Sequence, residues 1–160
     1  MNFLFSFQNR YLVNDRADNV RLQIEAIAGR HWSDFSENIT GKVKEDGSFR
    51  FTPKWTFGVI QGFGFRRSFT YLIGTVVEND GETIIQTTAR PNYGIVAAFY
   101  CGVFIIIAKL FGVNLLGNES FGYLFRSLSP VCLVVAGLMI FGAFRLRSRF
   151  ERLMQLRREE

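Results

Sequence analysis

Residues 127–144 have the sequence SLSPVCLVVAGLMIFGAF, eighteen residues without a charged side chain. A second uncharged stretch, GIVAAFYCGVFIIIA, covers residues 94–108. A helix of about 20 residues rises about 30 Å, which matches the hydrocarbon thickness of a bilayer. Two core helices of a soluble protein would need apolar partners on every side, and a chain of 160 residues has too few left to supply them. The two stretches predict a transmembrane hairpin with spans at about 93–111 and 127–144.

Positive charge is concentrated after the second span. Residues 145–160 contain six arginines and three glutamates, whereas residues 1–92 contain eleven Lys and Arg against ten Asp and Glu. Loops rich in Lys and Arg stay in the cytoplasm, so we expect a multi-pass cell-membrane protein with both termini cytoplasmic. The six arginines would fix this topology and contact anionic lipid headgroups; they are Arg145, Arg147, Arg149, Arg152, Arg157 and Arg158. Because the bilayer accounts for the basic excess, we predict no nucleic-acid partner.

Small residues recur four positions apart within each apolar stretch. Ala98 and Gly102 form one such pair, and Cys132 and Ala136 form another. Small side chains let two helices approach closely, so the pattern predicts that the two apolar helices pack on each other. The chain has two cysteines, Cys101 and Cys132, which lack zinc-site spacing and are expected to be packing residues.

The first 92 residues alternate between apolar and polar side chains, as half-buried strands do. The predicted strands cover residues 3–11, 39–43, 49–57, 69–77 and 83–89. Asp46-Gly47 and Asp80-Gly81 predict tight turns between them. Pro53 has no N–H for the ladder, so we expect its strand to lie at a sheet edge or to carry a bulge.

One helix is predicted between the first two strands. Its apolar stripe at helical spacing consists of Val20, Ile24, Ile27 and Ala28. Asn14 or Asp15 is the expected N-cap, and Gly29 the expected end of the helix. The element order predicts an α+β domain at 1–92 with an antiparallel sheet and one packed helix. The transmembrane hairpin follows at 93–144 and a basic amphipathic helix at 145–160, which either folds back on the sheet or continues the second span.

Three motifs of the sequence resemble those of a loose group of small bacterial membrane proteins. They are Tyr71-Leu72-Ile73-Gly74-Thr75-Val76, then Gly81-Glu82-Thr83-Ile84-Ile85, then the Arg90-Pro91 exit toward two spans. The resemblance covers roughly residues 3–145. It implies an N-terminal α+β domain followed by a transmembrane hairpin, and it implies no activity and no functional residues.

The sequence contains few candidates for chemistry. Arg66 and Arg67 follow a glycine-rich stretch that lacks the third glycine of a dinucleotide loop, and they are candidate contacts to an acidic partner or a lipid headgroup. His31 is the only histidine, and Asp34 is its sole nearby acidic residue. We therefore predict no catalytic, cofactor-binding or metal site.

Three functions are compatible with these patterns. The first is a membrane-anchored, non-enzymatic protein whose cytoplasmic domain binds a protein partner, forms a homo-oligomer or supports an assembly. The second is a membrane-proximal binding module in which the sheet and its helix enclose a lipid or another apolar ligand. The third, a small membrane enzyme, has the least support. An apolar cavity larger than roughly a few hundred Å³ would favour the second function over the first, and a buried titratable cluster around His31 would favour the third.

Overall fold

The fold is α+β, with a five-stranded antiparallel sheet and three helices. The computed structural model describes residues 5–31, 37–56, 59–60, 68–79, 81–111 and 121–156. The strands are β1 (Phe7–Val13), β2 (Thr40–Val43), β3 (Ser48–Thr52), β4 (Trp55–Thr56), β5 (Val59–Ile60), β6 (Thr70–Asn79) and β7 (Glu82–Pro91). The helices are α1 (Ala17–Ala28), α2 (Tyr93–Leu110) and α3 (Phe121–Leu153). The predicted fold class of the domain is thus confirmed.

The main sheet has the strand order β1-β7-β6-β3-β2, and every neighbouring pair is antiparallel. The long β6–β7 hairpin pairs Asn79 with Glu82, and Gly81 has a φ of +83°, which a glycine adopts without strain. Both predicted hairpins are present. β4 and β5 form a separate two-stranded sheet.

The side chains of one sheet face build the hydrophobic core, and the other face is open. The fully buried core side chains of the strands include Tyr11, Phe49, Phe51, Leu72 and Ile85. Phe49 lies opposite Gly74 in the register, and its ring occupies the space that a Cβ at Gly74 would need. Phe51 lies in the same way over Gly41. A small residue on one strand therefore accommodates a large ring on the next.

Helix α1 covers part of the core face with Val20, Ile24 and Ile27, as its apolar stripe predicts. The helix ends at Ala28, and Gly29 is the C-cap, as expected. The expected N-cap is wrong, because the capping position is Arg16 and no side chain caps the helix. The Asp15 carboxylate instead accepts hydrogen bonds from Arg16 N and Asn19 Nδ2.

The prediction for Pro53 was also wrong. β3 lies between β2 and β6 in the interior of the sheet, and it ends at Thr52, one residue before the proline. Pro53 lacks the N–H that an internal strand must supply, so the ladder stops there. Trp55 and Thr56, which the alternation assigned to the same strand, pair with β5 instead.

Helix α3 completes the core. Ala143, Leu146, Phe150 and Met154 are buried in the same cluster as the sheet residues. The Phe150 ring stacks on Phe49 with centroids 5.3 Å apart and an interplanar angle of 25°. The basic C-terminal segment thus both continues the second apolar stretch as one helix and folds onto the sheet, which answers the alternative left open by the sequence. The division at 92 and 144 stays a prediction, and the core draws residues from both sides of it.

The described residues contain one helix that is long and apolar enough to cross a membrane, Leu128–Leu153. Only 11% of its most apolar window is buried within the structure. The apolar stretch of α2, Tyr93–Ala108, is shorter than a span, so the predicted two-helix hairpin and multi-pass topology are not shown. α2 and α3 do pack together, since a Cβ at Gly102 would lie 2.9 Å from Cys132 Sγ.

Candidate membrane-proximal site

A groove of about 230 Å³ runs along α3, where this helix passes the connection between β3 and β4. The helix side of the groove consists of Leu138, Phe141, Gly142, Arg145, Leu146 and Arg149. These residues recur at intervals of three and four and so occupy one helix face. The opposite side consists of Asn38, Pro53, Trp55 and Thr70. At Gly142 a Cβ would lie 2.8 Å from Thr70 Cγ2, so the glycine sets the close approach of helix and sheet.

The groove changes character along the helix axis. Leu138 and Phe141 form its apolar end, and Phe141 is 58% exposed. Arg145 and Arg149 lie one to three turns further on, at the end nearer the sheet domain. The Arg149 guanidinium donates to the Asn38 carbonyl at 3.3 Å, which fixes its position at this end. An apolar slot that ends in two cations matches the chemistry of an anionic amphiphile.

The predicted headgroup arginines occupy different environments. Arg145 and Arg149 lie together in the groove. Arg147 is 8% exposed and turns into the domain, where it pairs with Glu151 at 3.4 Å. Arg152 is exposed and pairs with Glu37 at 2.9 Å. Four predicted contacts, Arg66, Arg67, Arg157 and Arg158, lie outside the described residues, so their roles stay predictions.

Arg147 belongs to a polar network that joins α3 to β1. Tyr11 donates its hydroxyl proton to Glu151 Oε1 at 2.5 Å, and Arg147 Nη1 lies 3.5 Å from Asn9 Oδ1. Burial, followed by the hydrogen bond to the Glu151 carboxylate, raises the pKa of Tyr11 well above its usual range. The network fixes the rotation of α3 about its axis relative to the sheet. Sequence alone predicted Arg147 as a lipid contact; the i,i+4 spacing of Arg147 and Glu151 is the signal that could have indicated this pairing.

Among the residues that the structure describes, no group of three or more His, Cys, Asp or Glu side chains could hold a metal ion. His31 is exposed, and its backbone carbonyl accepts a 2.6 Å hydrogen bond from the buried Lys54 ammonium. Its predicted neighbour Asp34 lies outside the described residues. Cys132 is buried against Gly102, in keeping with a packing role, but Cys101 is exposed.

The structure contains a second basic site that the sequence patterns did not predict. Arg50, Tyr71 and Arg90 lie together on the open face of the sheet, beside the first turn of α2. Tyr71 pairs directly with Arg90 between β6 and β7, and Arg50 approaches from β3. Both arginines occupy polar positions of the alternating strand pattern. Only the order of the strands in the sheet makes them neighbours.

Comparisons with protein-family models, with curated proteins and with solved structures find no match.

Proposed function

We propose that this chain is a non-enzymatic, membrane-anchored protein whose cytoplasmic α+β domain binds a protein partner or supports an assembly at the bilayer surface. The observation that carries the proposal is the course of α3, which continues from an exposed apolar segment into the core of the sheet domain without a break. Exposed apolar surface of this extent needs a cover of lipid or protein. A helix shared by lipid and core would hold the domain against the membrane.

The exposed side chains of α3 support lipid as that cover. Leu133 is 75% exposed, Val134 59% and Val131 52%, and none of the described residues from 127 to 144 carries a charge. Apolar side chains on more than one face of α3 are thus exposed, as expected of a helix surrounded by lipid. The arginines that follow lie where cytoplasmic positive charge would fix the orientation.

We further propose that α2 is the second span of a hairpin, with both termini in the cytoplasm. Its 18 residues lie at the short end of the range of about 17–25 residues for a transmembrane helix. Its apolar side chains Phe104 and Ile107 are 64% and 45% exposed, and Gly102 packs against α3. Lipid would cover the rest of its surface.

The open face of the sheet is the surface that we assign to the partner. Arg10, Lys42 and Arg50 are exposed there, and Leu12 and Val77 are 41% and 43% exposed in register on either side of Ile84. Cations around a small apolar row complement an acidic protein segment with one or two apolar side chains. A second copy of the chain is the alternative occupant that the experiment must distinguish.

Membrane anchoring is tested with single cysteines in a Cys101→Ala, Cys132→Ala background. Cysteine at Glu45, in the exposed β2–β3 turn, should resist an impermeant thiol reagent in intact cells, whereas cysteine at Asn118 should react. The membrane fraction should retain the chain after alkaline carbonate washing. Recovery of the unmodified chain as a detergent-free monomer in the soluble fraction would refute the anchoring.

The partner surface is tested by photocrosslinking in the native cell. A photoreactive residue at the exposed Thr75 should give a discrete adduct, and the same residue at Gln23, on the exposed side of α1, should not. Charge reversal at Arg10 and Lys42 should abolish the Thr75 adduct while the chain stays in the membrane. An adduct of twice the chain mass would identify a homo-oligomer. An adduct that persists after charge reversal would contradict the assignment.

A second candidate function, a binding module for a lipid or another apolar ligand, is favoured by the groove along α3. Its apolar end is continuous with the candidate span, and its basic end could receive an anionic headgroup. Native mass spectrometry of the chain released from nanodiscs should show a retained anionic lipid that Arg145→Gln with Arg149→Gln removes. Arg152→Gln is the control, because Arg152 is paired with Glu37 outside the groove.

A further inference from the structure

A notch of about 330 Å³ lies on the open face of the sheet, where β6 and β7 meet the start of α2. Arg50, Tyr71, Arg90 and Asn92 line it, together with the first residues of the helix. The notch is remote in sequence from the arginines of α3, and its wall is the rigid backbone of two paired strands. It is therefore a preformed feature of the fold.

Aromatic rings hold both arginine side chains in place. The Arg50 guanidinium carbon lies 4.0 Å from the centre of the Tyr71 ring, and that of Arg90 lies 3.9 Å from the centre of the Tyr93 ring. A guanidinium stacked on a ring uses its flat face and leaves its N–H groups in the plane, where they can bind an anion. Stacking thus orders the two cations without occupying their donors.

The donors of the notch are in part unpartnered. The buried Nη1 of Arg90 has no hydrogen-bond acceptor in the described structure. The Tyr71 oxygen accepts from Ser68 N at 3.1 Å and from Asn92 Nδ2 at 3.3 Å, which leaves its own proton to donate. Asn92 Oδ1 accepts from Gly94 N at 2.9 Å and fixes the first turn of α2. Arg90 and Tyr71 therefore each keep a donor at the notch that has no acceptor among the described residues.

The electrostatics of the notch are unbalanced. Desolvation, followed by repulsion from Arg50, lowers the pKa of Arg90. Within the described ranges, no carboxylate pairs with either arginine. Two adjacent cations without a counter-ion destabilise each other, and a bound anion would relieve the repulsion.

From this geometry we propose that the notch binds a phosphate group through Arg50, Arg90 and the Tyr71 hydroxyl. Two guanidinium forks match the several oxygens of a phosphate better than the single edge of a carboxylate. The phosphate could belong to an anionic lipid headgroup, since the apolar helix α2 begins at the notch and Tyr93 is 55% exposed beside it. It could equally belong to a small phosphate ester in the cytoplasm. The lipid source rests on the proposed membrane anchoring, whereas the phosphate chemistry does not.

The test uses the full-length chain in two arms. In the first, inorganic pyrophosphate is titrated into the chain in neutral-detergent micelles, and binding is measured by calorimetry. In the second, the chain is reconstituted into nanodiscs of phosphatidylcholine with or without phosphatidylglycerol, and retained lipid is measured by native mass spectrometry. The variants are Arg50→Gln, Arg90→Gln and Arg90→Lys, and the control is Arg21→Gln, an exposed arginine of α1 outside the notch.

Each Gln variant should weaken phosphate binding in the responding arm by about tenfold or more, because it removes a charge-assisted hydrogen bond. Arg90→Lys should keep part of the affinity, and Arg21→Gln should keep all of it. A response to pyrophosphate in micelles indicates a soluble phosphate ester, and a response only to phosphatidylglycerol indicates a headgroup. Binding in neither arm, or equal binding by the Gln variants and the control, overturns the proposal. Loss of carbonate-resistant membrane retention would contradict the anchoring alone, because the micelle arm does not depend on it.

Discussion

Replacement of Phe150 by alanine should severely destabilise the sheet domain, although Phe150 lies beyond the apolar stretch of α3. Its side chain is fully buried, and its ring lies 5.3 Å from Phe49 and 5.7 Å from Phe51. Deleting a buried phenylalanine ring costs about 3–5 kcal/mol through lost apolar contact and the cavity left behind. A domain of this size has a total stability of about 5–15 kcal/mol, so the loss is a large share of it.

The matched control is Phe144→Ala on the same helix. Phe144 is 49% exposed, and its described ring contact is to Arg147 at 5.1 Å, worth about 0.5–1 kcal/mol. Hydrogen exchange of β6 and β7 peptides, measured by mass spectrometry on the full chain in micelles, reports the opening free energy of the sheet. A loss of about 4 kcal/mol should speed this exchange about a thousandfold, and the control should change it less than about tenfold. Equal exchange in the two variants would show that α3 is not part of the core.

Three further predictions concern the same core. Glu151→Gln should cost about 3 kcal/mol in unfolding free energy, because Arg147 loses its buried counter-ion. Partial recovery by the double variant Arg147→Met, Glu151→Leu, which removes both charges and also the acceptor of the Tyr11 hydroxyl, would support this cause, and no loss in Glu151→Gln would contradict it. Gly74→Ala should lower the unfolding free energy by about 1–3 kcal/mol, since Phe49 fills the space of the new methyl group. Gly137→Ala on α3, with open space around it, should be near neutral, and thermal denaturation of the two variants measures the difference. The raised pKa of Tyr11 gives stabilisation that is complete below the ordinary phenol value of 10.0 and is lost as pH rises above it. Tyr11→Phe should therefore make the decrease in unfolding free energy at alkaline pH less steep. An unchanged decrease would refute the link between the pKa of Tyr11 and stability.

Much of the sheet domain follows from local pattern. The β6–β7 hairpin and α1 could be predicted because period-two alternation, a glycine turn and a helical stripe all act within a few residues of each other. The end of β3 before Pro53 was predicted less well, because the penalty for a missing N–H depends on whether the strand is internal. Whether a strand is internal depends on the strand order of the sheet, which short-range sequence patterns do not determine.

The site depends even more on long-range contacts. Leu146, Phe150 and Met154 have the same helical spacing whether their helix extends into solvent or packs on the sheet. Arg147 could be predicted as basic but not as buried, because its partner Glu151 is in turn bound by Tyr11, 140 residues away in the chain. Arg50 and Arg90 come together only through β6, which lies between them.

The unbroken course of α3 has a mechanical consequence. At 1.5 Å per residue, its 33 residues form a rod of about 50 Å with no loop between the candidate span and the core. Once lipid surrounds the apolar part, any tilt that the bilayer imposes on the rod swings the whole sheet through the same angle. The height and the facing of the domain above the membrane would then vary with bilayer thickness.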